Sequence, residues 1–317
     1  MQVPAGPGVV RFDVAAMGGN AHIILLRPPP GTRSWVVRRL AELEAAWSRF
    51  RPDSELSRLN QHAGGEQVVG PDTLGLVRAA IEGWRLTAGR FDPTVHRALI
   101  ELGYDRDFSS GTGPGTAGYR GRPAPGCEGI RVIDARSAIV LPPGVTLDPG
   151  GLGKGLAADL VVAELIERGC AGACANLAGD VRVAGRGPDP RGWVIGIEDP
   201  HRAGAPPLAT VALDDGAVAT SSVLHRRWPG GRHHLVDPRT GLPSDTGYDA
   251  VTVIAPTGLL AEVLTKAVLL DGIPASQALL TTQQALALAV DRTGRRTTSR
   301  GWPGAGERDE GNRTDSA

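Results

Sequence analysis

The stretch DPGGLGKGLAADL, from Asp148 to Leu160, places a run of glycines between two regular elements. The residues just before it, GVTLD, are strand-like, and LAADLVVAELIERG has the apolar spacing of a helix. Backbone N–H groups at the start of a helix, together with Lys154, favour an anion. The stretch therefore predicts a strand, a glycine turn that holds a phosphate group, and a helix.

Two common nucleotide-binding patterns fail on spacing. The pattern G-x-x-x-x-G-K-[ST] needs a hydroxyl residue after the lysine, but Gly155 follows Lys154, and Asp148 stands at the position of the first glycine. In the pattern G-x-G-x-x-G, Leu156 occupies the position of the third glycine. Neither a P-loop nucleotide hydrolase nor a Rossmann dinucleotide site is therefore expected.

The composition is that of a globular protein without a dominant charge. The chain has 317 residues, 41% hydrophobic and 21% charged, and its 34 basic residues balance 34 acidic ones. This balance does not favour nucleic acid or an anionic membrane surface as a partner. No stretch approaches ~20 uninterrupted apolar residues, so we expect no membrane span.

The N-terminus and the cysteines bear on the compartment. MQVPAGPGVVRFDVAAMGG has no basic segment followed by an apolar core, so no signal peptide is expected. Cys127, Cys170 and Cys174 form neither a disulfide framework nor a zinc pattern, and the last two are expected to be small buried residues. A reducing compartment fits these cysteines, so we expect a cytoplasmic protein.

The periodicity predicts an α+β fold of largely antiparallel sheets flanked by helices. GPDTLGLVRAAIEGWRLTAG is one amphipathic helix. SWVVRRLAELEAAWSRF is another, with apolar positions at Val36, Val37, Leu40, Leu43 and Trp47. Two further helices are expected near residues 259–270 and 274–280. Short strands alternate with turns after residue 130 without regular βαβ units, which favours α+β.

The domain boundaries follow from composition. Residues 1–294 are expected to form a single domain. Within it, residues 107–126 are rich in glycine and proline, which predicts a mobile insertion. Residues 295–317 lack periodic apolar positions, so we expect a disordered C-terminal tail.

Four polar clusters carry the candidate chemistry. They are WSRFRPDSELSRLN, which ends at Asn60, then TAGRFDPTVHRAL, the opening stretch, and ATSSVLHRRWPGGRHHLVDPRTGLP. Taken singly, each has a structural explanation. DPRTG suits a type I turn, because proline is favoured at its second position, and adjacent histidines such as His233 and His234 are more often surface or capping residues. Only the order of all four along one chain points to a function.

Together the clusters resemble the ApbE-like FAD:protein FMN transferases. The resemblance runs from AMGGNAHI near Met17 to AEVLTKAVLLDG near Gly272, and its motifs in order include SRFRPDSELSRLN, GRFDPTV, LDPGGLGKGLAAD, NLAGD and HHLVDPRTGLP. It implies the ApbE-like flavin transferase fold. It also implies an enzyme that cleaves FAD at its pyrophosphate, attaches FMN to a threonine of a target protein and releases AMP.

The resemblance also implies roles for individual residues. His234 falls on the catalytic histidine, which suits a base acting on a hydroxyl group. Mg²⁺ is the implied metal, because it neutralises charge on phosphate oxygens. The positions implied to bind FAD are Met17, Phe50, Arg90, Phe91, Asp92, Asp148, Lys154 and Val236. The implied metal positions are Gly151 (through its main-chain oxygen), Glu262, Thr265 and Lys266.

The metal-binding helix departs from the family pattern A-D-x-x-x-T. Glu262 replaces the aspartate, and Lys266 replaces the threonine. In one interpretation these two residues, one helical turn apart, form an ion pair that fills the metal's place with a positive charge. In the other, Glu262 still binds Mg²⁺ with assistance from Thr265. Because one lysine neutralises a pyrophosphate less well than Mg²⁺, we expect Mg²⁺-dependent transfer with Lys266 directed toward solvent or another carboxylate.

Two smaller departures leave alternative functions open. The family's T-S-G is Thr220-Ser221-Ser222 here, and Ala178 replaces the first glycine of N-x-G-G-D. One alternative is a protein that binds FAD without transferring FMN. The other is an FAD pyrophosphatase that uses the same site, with water in place of threonine.

Overall fold

The structure, a computed structural model, describes residues 8–107, 110–113 and 115–303. Its centre is a sheet of eight antiparallel strands. Numbered along the chain, these strands lie in the order β1 (Val9–Ala16), β2 (Gly19–Leu26), β6 (Gly172–Leu177), β7 (Asp180–Gly185), β10 (Gly216–Ser222), β15 (Tyr248–Ala255), β16 (Leu286–Asp291) and β17 (Arg296–Thr298). The predicted α+β class with largely antiparallel sheets is confirmed.

Smaller sheets and six α-helices surround the central sheet in the described residues. The small sheets contain β3 (Glu66–Val68), β4 (Arg131–Ile133) and β5 (Ala138–Val140), then β8 (Trp193–Ile197) with β9 (Ala209–Leu213), β11 (Arg227–Trp228) with β12 (Arg232–His233), and β13 (Val236–Asp237) with β14 (Leu242–Pro243). The helices are α1 (Thr32–Trp47), α2 (Glu55–Gln61), α3 (Pro71–Leu86), α4 (His96–Glu101), α5 (Gly153–Glu167) and α6 (Gly258–Thr282).

Both faces of the central sheet are covered. Ile23 and Leu25 of β2 belong to the core beneath α1 and α5, whereas Ile24 belongs to the opposite core with Trp193 of the β8–β9 hairpin. Successive strand residues point to opposite faces, so a strand covered on both faces needs a continuous apolar run. This explains why AHIILL is apolar at adjacent positions rather than alternating.

The predicted helices are present, with two details that the structure adds. In α1, Val37 is one of the apolar positions of the amphipathic pattern, but its side chain is 42% exposed on the solvent side of the helix. In α6, Gly272 has φ of 80° and ψ of 163°, which is not helical, and Pro274 follows it. The break separates the two helices that the sequence predicts near residues 259–270 and 274–280.

The start of α5 meets the start of α6 at unusually close range. A Cβ atom on Gly155 would lie 2.3 Å from the carbonyl oxygen of Gly258, so only glycine fits this crossing. The carboxylate of Asp159 accepts hydrogen bonds from the N–H groups of Gly258 and Leu259 at 2.7 and 2.8 Å, and so caps α6. The glycine stretch and the predicted metal helix are thereby held against each other.

The predicted C-terminal tail is wrong for residues 296–303. Arg296–Thr298 form β17, which pairs with β16, and Trp302 is 5% exposed in the core beneath the β8–β9 hairpin. One large buried aromatic side chain anchors such a segment without any periodic pattern. Residues 304–317, the rest of the predicted tail, lie outside the described residues.

Described residues of the predicted insertion at residues 107–126 form hydrogen bonds with distant parts of the chain. Residues 111–113 and 115–126 contain no strand and no α-helix, while residues 108–109 and 114 lie outside the described residues. The N–H of Ala124 donates to the carbonyl oxygen of Pro238 at 2.7 Å, and the N–H of Gly126 donates to Thr94 Oγ1 at 2.9 Å. Mobility of this segment stays a prediction.

Membrane spans were sought in the same ranges. Within residues 8–107, 110–113 and 115–303, every helix is either too short or too polar to cross a bilayer.

The helix crossing leads to a prediction about stability. Gly155→Ala should lower the free energy of unfolding by about 1–3 kcal/mol, because the added methyl group overlaps the backbone of α6. Urea denaturation measures this change. The control is Gly75→Ala in α3, where a Cβ meets no atom within 4 Å, and which should be neutral or stabilise by up to about 1 kcal/mol. Equal stabilities of the two variants would contradict the tight crossing.

Candidate active site

A cleft of about 290 Å³ opens where the loops around α5, α6 and the sheet converge. This volume lies near the lower end of small-ligand sites, about 300–1,000 Å³. The predicted residues that line the cleft are Met17, Phe50, Arg90, Phe91, Asp92, Asp148, Gly151, Lys154, His234, Val236, Glu262 and Lys266. The exception is Thr265, which is fully buried below the cleft.

The glycine stretch and α6 form the floor of the cleft around one carboxylate. Glu262 Oε2 accepts the N–H of Gly155 at 2.8 Å, and Glu262 Oε1 lies 3.3 Å from Lys154 Nζ. Lys154 Nζ also donates to the carboxylate of Asp180. Burial opposes the charge of Lys154, but Asp180 and Glu262 outweigh it and raise the pKa of this lysine. Lys154 therefore stays positively charged at the N-terminal end of α5.

Lys266 enters the same floor from α6. Its Nζ lies 3.6 Å from Glu262 Oε1, and its Cε would lie 3.4 Å from a Cβ atom on Gly151. Its side chain is 16% exposed. Burial lowers the pKa of Lys266, against the carboxylates of Glu262 and Asp180, which raise it. The expectation that Lys266 turns away from the predicted metal position is therefore wrong, because the Glu262 carboxylate draws it inward.

These residues do not fit a Mg²⁺ ion at the predicted position. Mg²⁺ needs about six oxygen ligands in near-octahedral geometry, but both oxygens of Glu262 already face N–H or ammonium groups. The Thr265 hydroxyl donates to the carbonyl oxygen of Glu262 at 2.7 Å and pairs with Ser221 Oγ at 2.7 Å. Among residues 8–107, 110–113 and 115–303, no three His, Cys, Asp or Glu side chains are grouped so as to hold a metal.

His234 lies in the cleft with an unused ring nitrogen. Within the described part of the chain, its Nδ1 is buried and has no hydrogen-bond partner. Burial, followed by the positive charges of Arg226 and Lys266, lowers the pKa of His234 well below its usual value of 6.5. The ring is therefore neutral near pH 7, which is the form that accepts a proton.

The neighbouring His233 has a different place. Its Nε2 donates to the carbonyl oxygen of Ser244 at 3.1 Å, and its Nδ1 accepts the N–H of Leu235 at 3.3 Å. The tautomer follows from these two partners. Both ring nitrogens thus hold the backbone, which leaves His234 as the histidine of the pair that faces the cleft.

One wall of the cleft is built around Arg49, which sequence reasoning missed. Its Nε lies 2.6 Å from Asp148 Oδ2, and both side chains are almost fully buried. The guanidinium carbon lies 4.2 Å from the ring centroid of Phe50 and 4.5 Å from that of Tyr104. The pair is an ion contact rather than a well-aligned hydrogen bond, and within the described residues Arg49 Nη2 has no hydrogen-bond partner.

The FDP corner is tied to the start of the glycine stretch. Asp92 Oδ1 accepts the N–H of Thr94 at 2.8 Å, and the carbonyl oxygen of Pro93 accepts the N–H of Asp148 at 2.7 Å. Burial raises the pKa of Asp92, against the hydrogen bonds from Thr94, which lower it. Asn60 supports the same segment, because its side-chain amide exchanges two hydrogen bonds with the backbone of Leu147.

Two hairpin turns form the rim on the sheet side. Met17 and Gly18 connect β1 to β2 with φ of 54° and 69°, and Ala178 and Gly179 connect β6 to β7 with φ of 52° and 102°. Both are two-residue turns with left-handed backbone, where glycine is favoured. Ala178, the departure from N-x-G-G-D, adopts this conformation too, and a Cβ on Gly19 would lie 2.9 Å from its methyl group.

Further lining residues were not predicted as site residues. Asp180 holds Lys154 and ends the motif NLAGD, so that motif carried a signal for it. Arg49 adjoins Phe50 in WSRF, but nothing in the local sequence distinguishes it from Arg51. Arg226 and Asp107 lie in loops whose approach to the cleft is visible only in the folded chain.

The ion pair in the wall leads to a second prediction. Arg49→Met should lower the free energy of unfolding by about 3–5 kcal/mol, because it leaves the buried Asp148 carboxylate without its cation. Thermal or urea denaturation tests this. Arg51→Met is the control, since the Arg51 side chain is 50% exposed and 3.5 Å from Asp53, and it should change stability by less than about 1 kcal/mol. A similar loss in both variants would mean that the buried pair does not stabilise the cleft.

Known proteins are similar to this chain in sequence and in fold. The sequence pattern of the ApbE family matches residues 17–290. An FAD:protein FMN transferase of Treponema pallidum (strain Nichols) is 30% identical over 263 residues, which cover 76% of this chain and 71% of that protein. An FAD:protein FMN transferase of Vibrio cholerae serotype O1 is 28% identical over 261 residues, which cover 81% of this chain and 78% of that protein.

Solved structures of other proteins are similar to this chain in fold. The crystal structure of the ApbE protein of Thermotoga maritima has a TM-score of 0.81 and 25% identity, covering 92% of this chain and 97% of that chain. The apo form of the Pseudomonas stutzeri flavinyl transferase ApbE has a TM-score of 0.77 and 25% identity, covering 92% of this chain and 95% of that chain. The cleft, its ordered motifs and these similarities lead to one conclusion: the chain belongs to the ApbE family.

Proposed function

We propose that this protein is an FAD:protein FMN transferase that links FMN to a threonine hydroxyl of a target protein. The observation that carries the proposal is the pairing, in one cleft, of a neutral His234 with two lysines at the start of α5 and on α6. A helix N-terminus with nearby ammonium groups favours a phosphate group. The relatives named as FAD:protein FMN transferases support the same substrate.

The chemistry follows from these groups. The threonine oxygen attacks the phosphorus of the FMN half, the bond from that phosphorus to the bridging oxygen breaks, and AMP leaves with the bridging oxygen. A threonine hydroxyl is a weak acid, so His234 accepts its proton as the new bond forms. Lys154 stabilises the negative charge that develops on the phosphate oxygens.

The walls of the cleft support the proposal that the rest of FAD also binds there. Phe50 and Tyr104 both pack against Arg49 and line the cleft together with the glycine stretch. Met17 at the sheet rim and Val236 in β13 lie on the same cleft from other elements. Contacts spread over this many elements suit an extended dinucleotide rather than one phosphate group.

The substitution at Ser222 does not argue against transfer. Ser222 Oγ donates to the carbonyl oxygen of Asp249 at 2.8 Å and accepts the N–H of Leu224 at 3.1 Å. The hydroxyl group thus holds the turn after β10. The protein that only binds FAD, and the FAD pyrophosphatase, remain the alternatives that an assay must separate.

The assay uses purified protein, FAD and a candidate acceptor protein that bears a threonine. Transfer gives a covalent FMN adduct on the acceptor by mass spectrometry together with free AMP. FMN and AMP without an adduct would identify a pyrophosphatase, and unchanged FAD would leave a binding protein. The proposal requires the adduct.

Two finer points belong to the same proposal. Mg²⁺ dependence is implied by the resemblance alone, and the floor of the cleft does not favour it because Lys266 lies beside Glu262. A cytoplasmic location also stays a prediction, and it rests on three free, buried cysteines rather than on disulfides.

The extended cleft predicts a preference for FAD over FMN. We expect FAD to bind at least about 10-fold more tightly, equivalent to about 1.4 kcal/mol, because the adenylate half adds contacts that FMN lacks. Isothermal titration calorimetry with each flavin measures both affinities. Equal affinities would mean that the cleft gains no binding energy from the adenylate half of FAD.

His234 predicts both a rate and a pH dependence. His234→Ala should lower the transfer rate about 10²–10⁴-fold with little change in FAD affinity, as for loss of a general base. Since the pKa of His234 is lowered, its neutral form persists as pH falls, so the wild-type rate should decline only below pH 6.5. Transfer rates across pH, normalised to folded protein, test this.

The matched variant is His233→Ala. It should lower thermal stability, because two backbone hydrogen bonds are lost, while the folded fraction keeps its transfer rate. A wild-type rate in His234→Ala, or an acid limb centred above pH 6.5, would exclude His234 as the base.

A further inference from the structure

The two lysines of this chain meet at one carboxylate. The sequence has 34 basic residues, of which only Lys154 and Lys266 are lysines, and the others are arginines. The ammonium groups of Lys154 and Lys266 lie 3.3 and 3.6 Å from the same oxygen, Glu262 Oε1. All the remaining basic positions carry arginine, so lysine occurs in this chain only in the floor of the cleft.

The shape of the lysine side chain bears on its role in the floor of the cleft. An arginine guanidinium is a broad planar fork, whereas a lysine ammonium is a compact point charge with three donors. Lys266 lies between Gly151 and Glu262, where its methylene chain already approaches the position of a Cβ atom on Gly151 at 3.4 Å. The ammonium group of Lys266 therefore places a compact positive charge beside Glu262 in this space.

This position is the one that the resemblance gives to a metal ion. The implied metal positions Gly151 and Glu262 flank the Lys266 side chain. The Thr265 hydroxyl is occupied by the Glu262 carbonyl oxygen and by Ser221, below the cleft. A divalent cation here would compete with the Lys266 ammonium for the Glu262 carboxylate. The two positive charges would also repel each other at close range.

We propose that the Lys266 ammonium replaces the metal ion, so that this protein binds the pyrophosphate of FAD without a divalent cation. The inference rests on the proposed function, since it concerns the same cleft and the same substrate. Lys266 supplies one tethered positive charge at the implied metal position, and Lys154 lies beside it at the same carboxylate oxygen. Arg226, in the lining of the same cleft, adds another cation near them.

The first experiment measures FAD binding by calorimetry with wild-type protein, in EDTA and in millimolar Mg²⁺. The proposal requires the two dissociation constants to agree within about 3-fold. In EDTA, Lys266→Met should bind FAD at least about 10-fold more weakly, a loss of at least about 1.4 kcal/mol. The control Arg38→Met, on the exposed side of α1 with a 64% exposed side chain, should bind as the wild type does.

The second experiment detects the metal directly. Mn²⁺ in the presence of FAD is followed by electron paramagnetic resonance, where bound Mn²⁺ loses the signal of the free ion. Wild-type protein should leave Mn²⁺ free. Lys266→Thr, which removes the tethered charge and supplies a hydroxyl group beside Glu262, should bind it and regain FAD affinity when Mg²⁺ is added.

The outcomes separate this inference from the proposed function. Wild-type FAD affinity that falls 10-fold or more in EDTA, Mn²⁺ bound by the wild type, or wild-type affinity of Lys266→Met in EDTA would each overturn the inference. Failure of the wild type to bind FAD under both conditions would instead overturn the proposed function. Lys266→Met keeps the contacts of Glu262 with Lys154 and Gly155, so we expect this variant to fold. Its unfolding midpoint checks that expectation.

Discussion

The buried carboxylate of Glu262 is the contact on which the cleft depends. Removing a carboxylate from water costs several kcal/mol unless hydrogen bonds and opposite charges compensate. Here the N–H of Gly155 and the ammonium groups of Lys154 and Lys266 provide that compensation. The same contacts join the first turn of α5 to the second turn of α6, so the geometry of the cations follows from the packing of two helices.

Much of the fold could be predicted from local pattern because the local pattern has a local cause. The apolar run of β2 reflects a strand with cores on both faces, and Gly272 with Pro274 interrupts α6 through their own backbone limits. The segment after residue 295 could not be predicted in this way. Its anchor is Trp302, one aromatic side chain whose burial depends on the distant β8–β9 hairpin.

The site shows the same division between local and distant causes. The order of the motifs predicted residues that do line one cleft. The spacing of Glu262 and Lys266 on α6 predicted their contact. The direction of the Lys266 side chain could not be predicted from the sequence of α6. It depends on the space beside Gly151, which lies in a distant segment of the chain. Arg49 was missed because its aromatic neighbour Tyr104 lies far along the chain.

The confinement of lysine to the floor of the cleft has a consequence for limited proteolysis. A protease that cuts only after lysine meets two sites in this chain, and both lie in helices within the folded core. Cleavage therefore requires α5 or α6 to open, with no background from surface loops. The rate of such cleavage reports the opening of the cleft floor itself, and any ligand that bridges the two helices slows it.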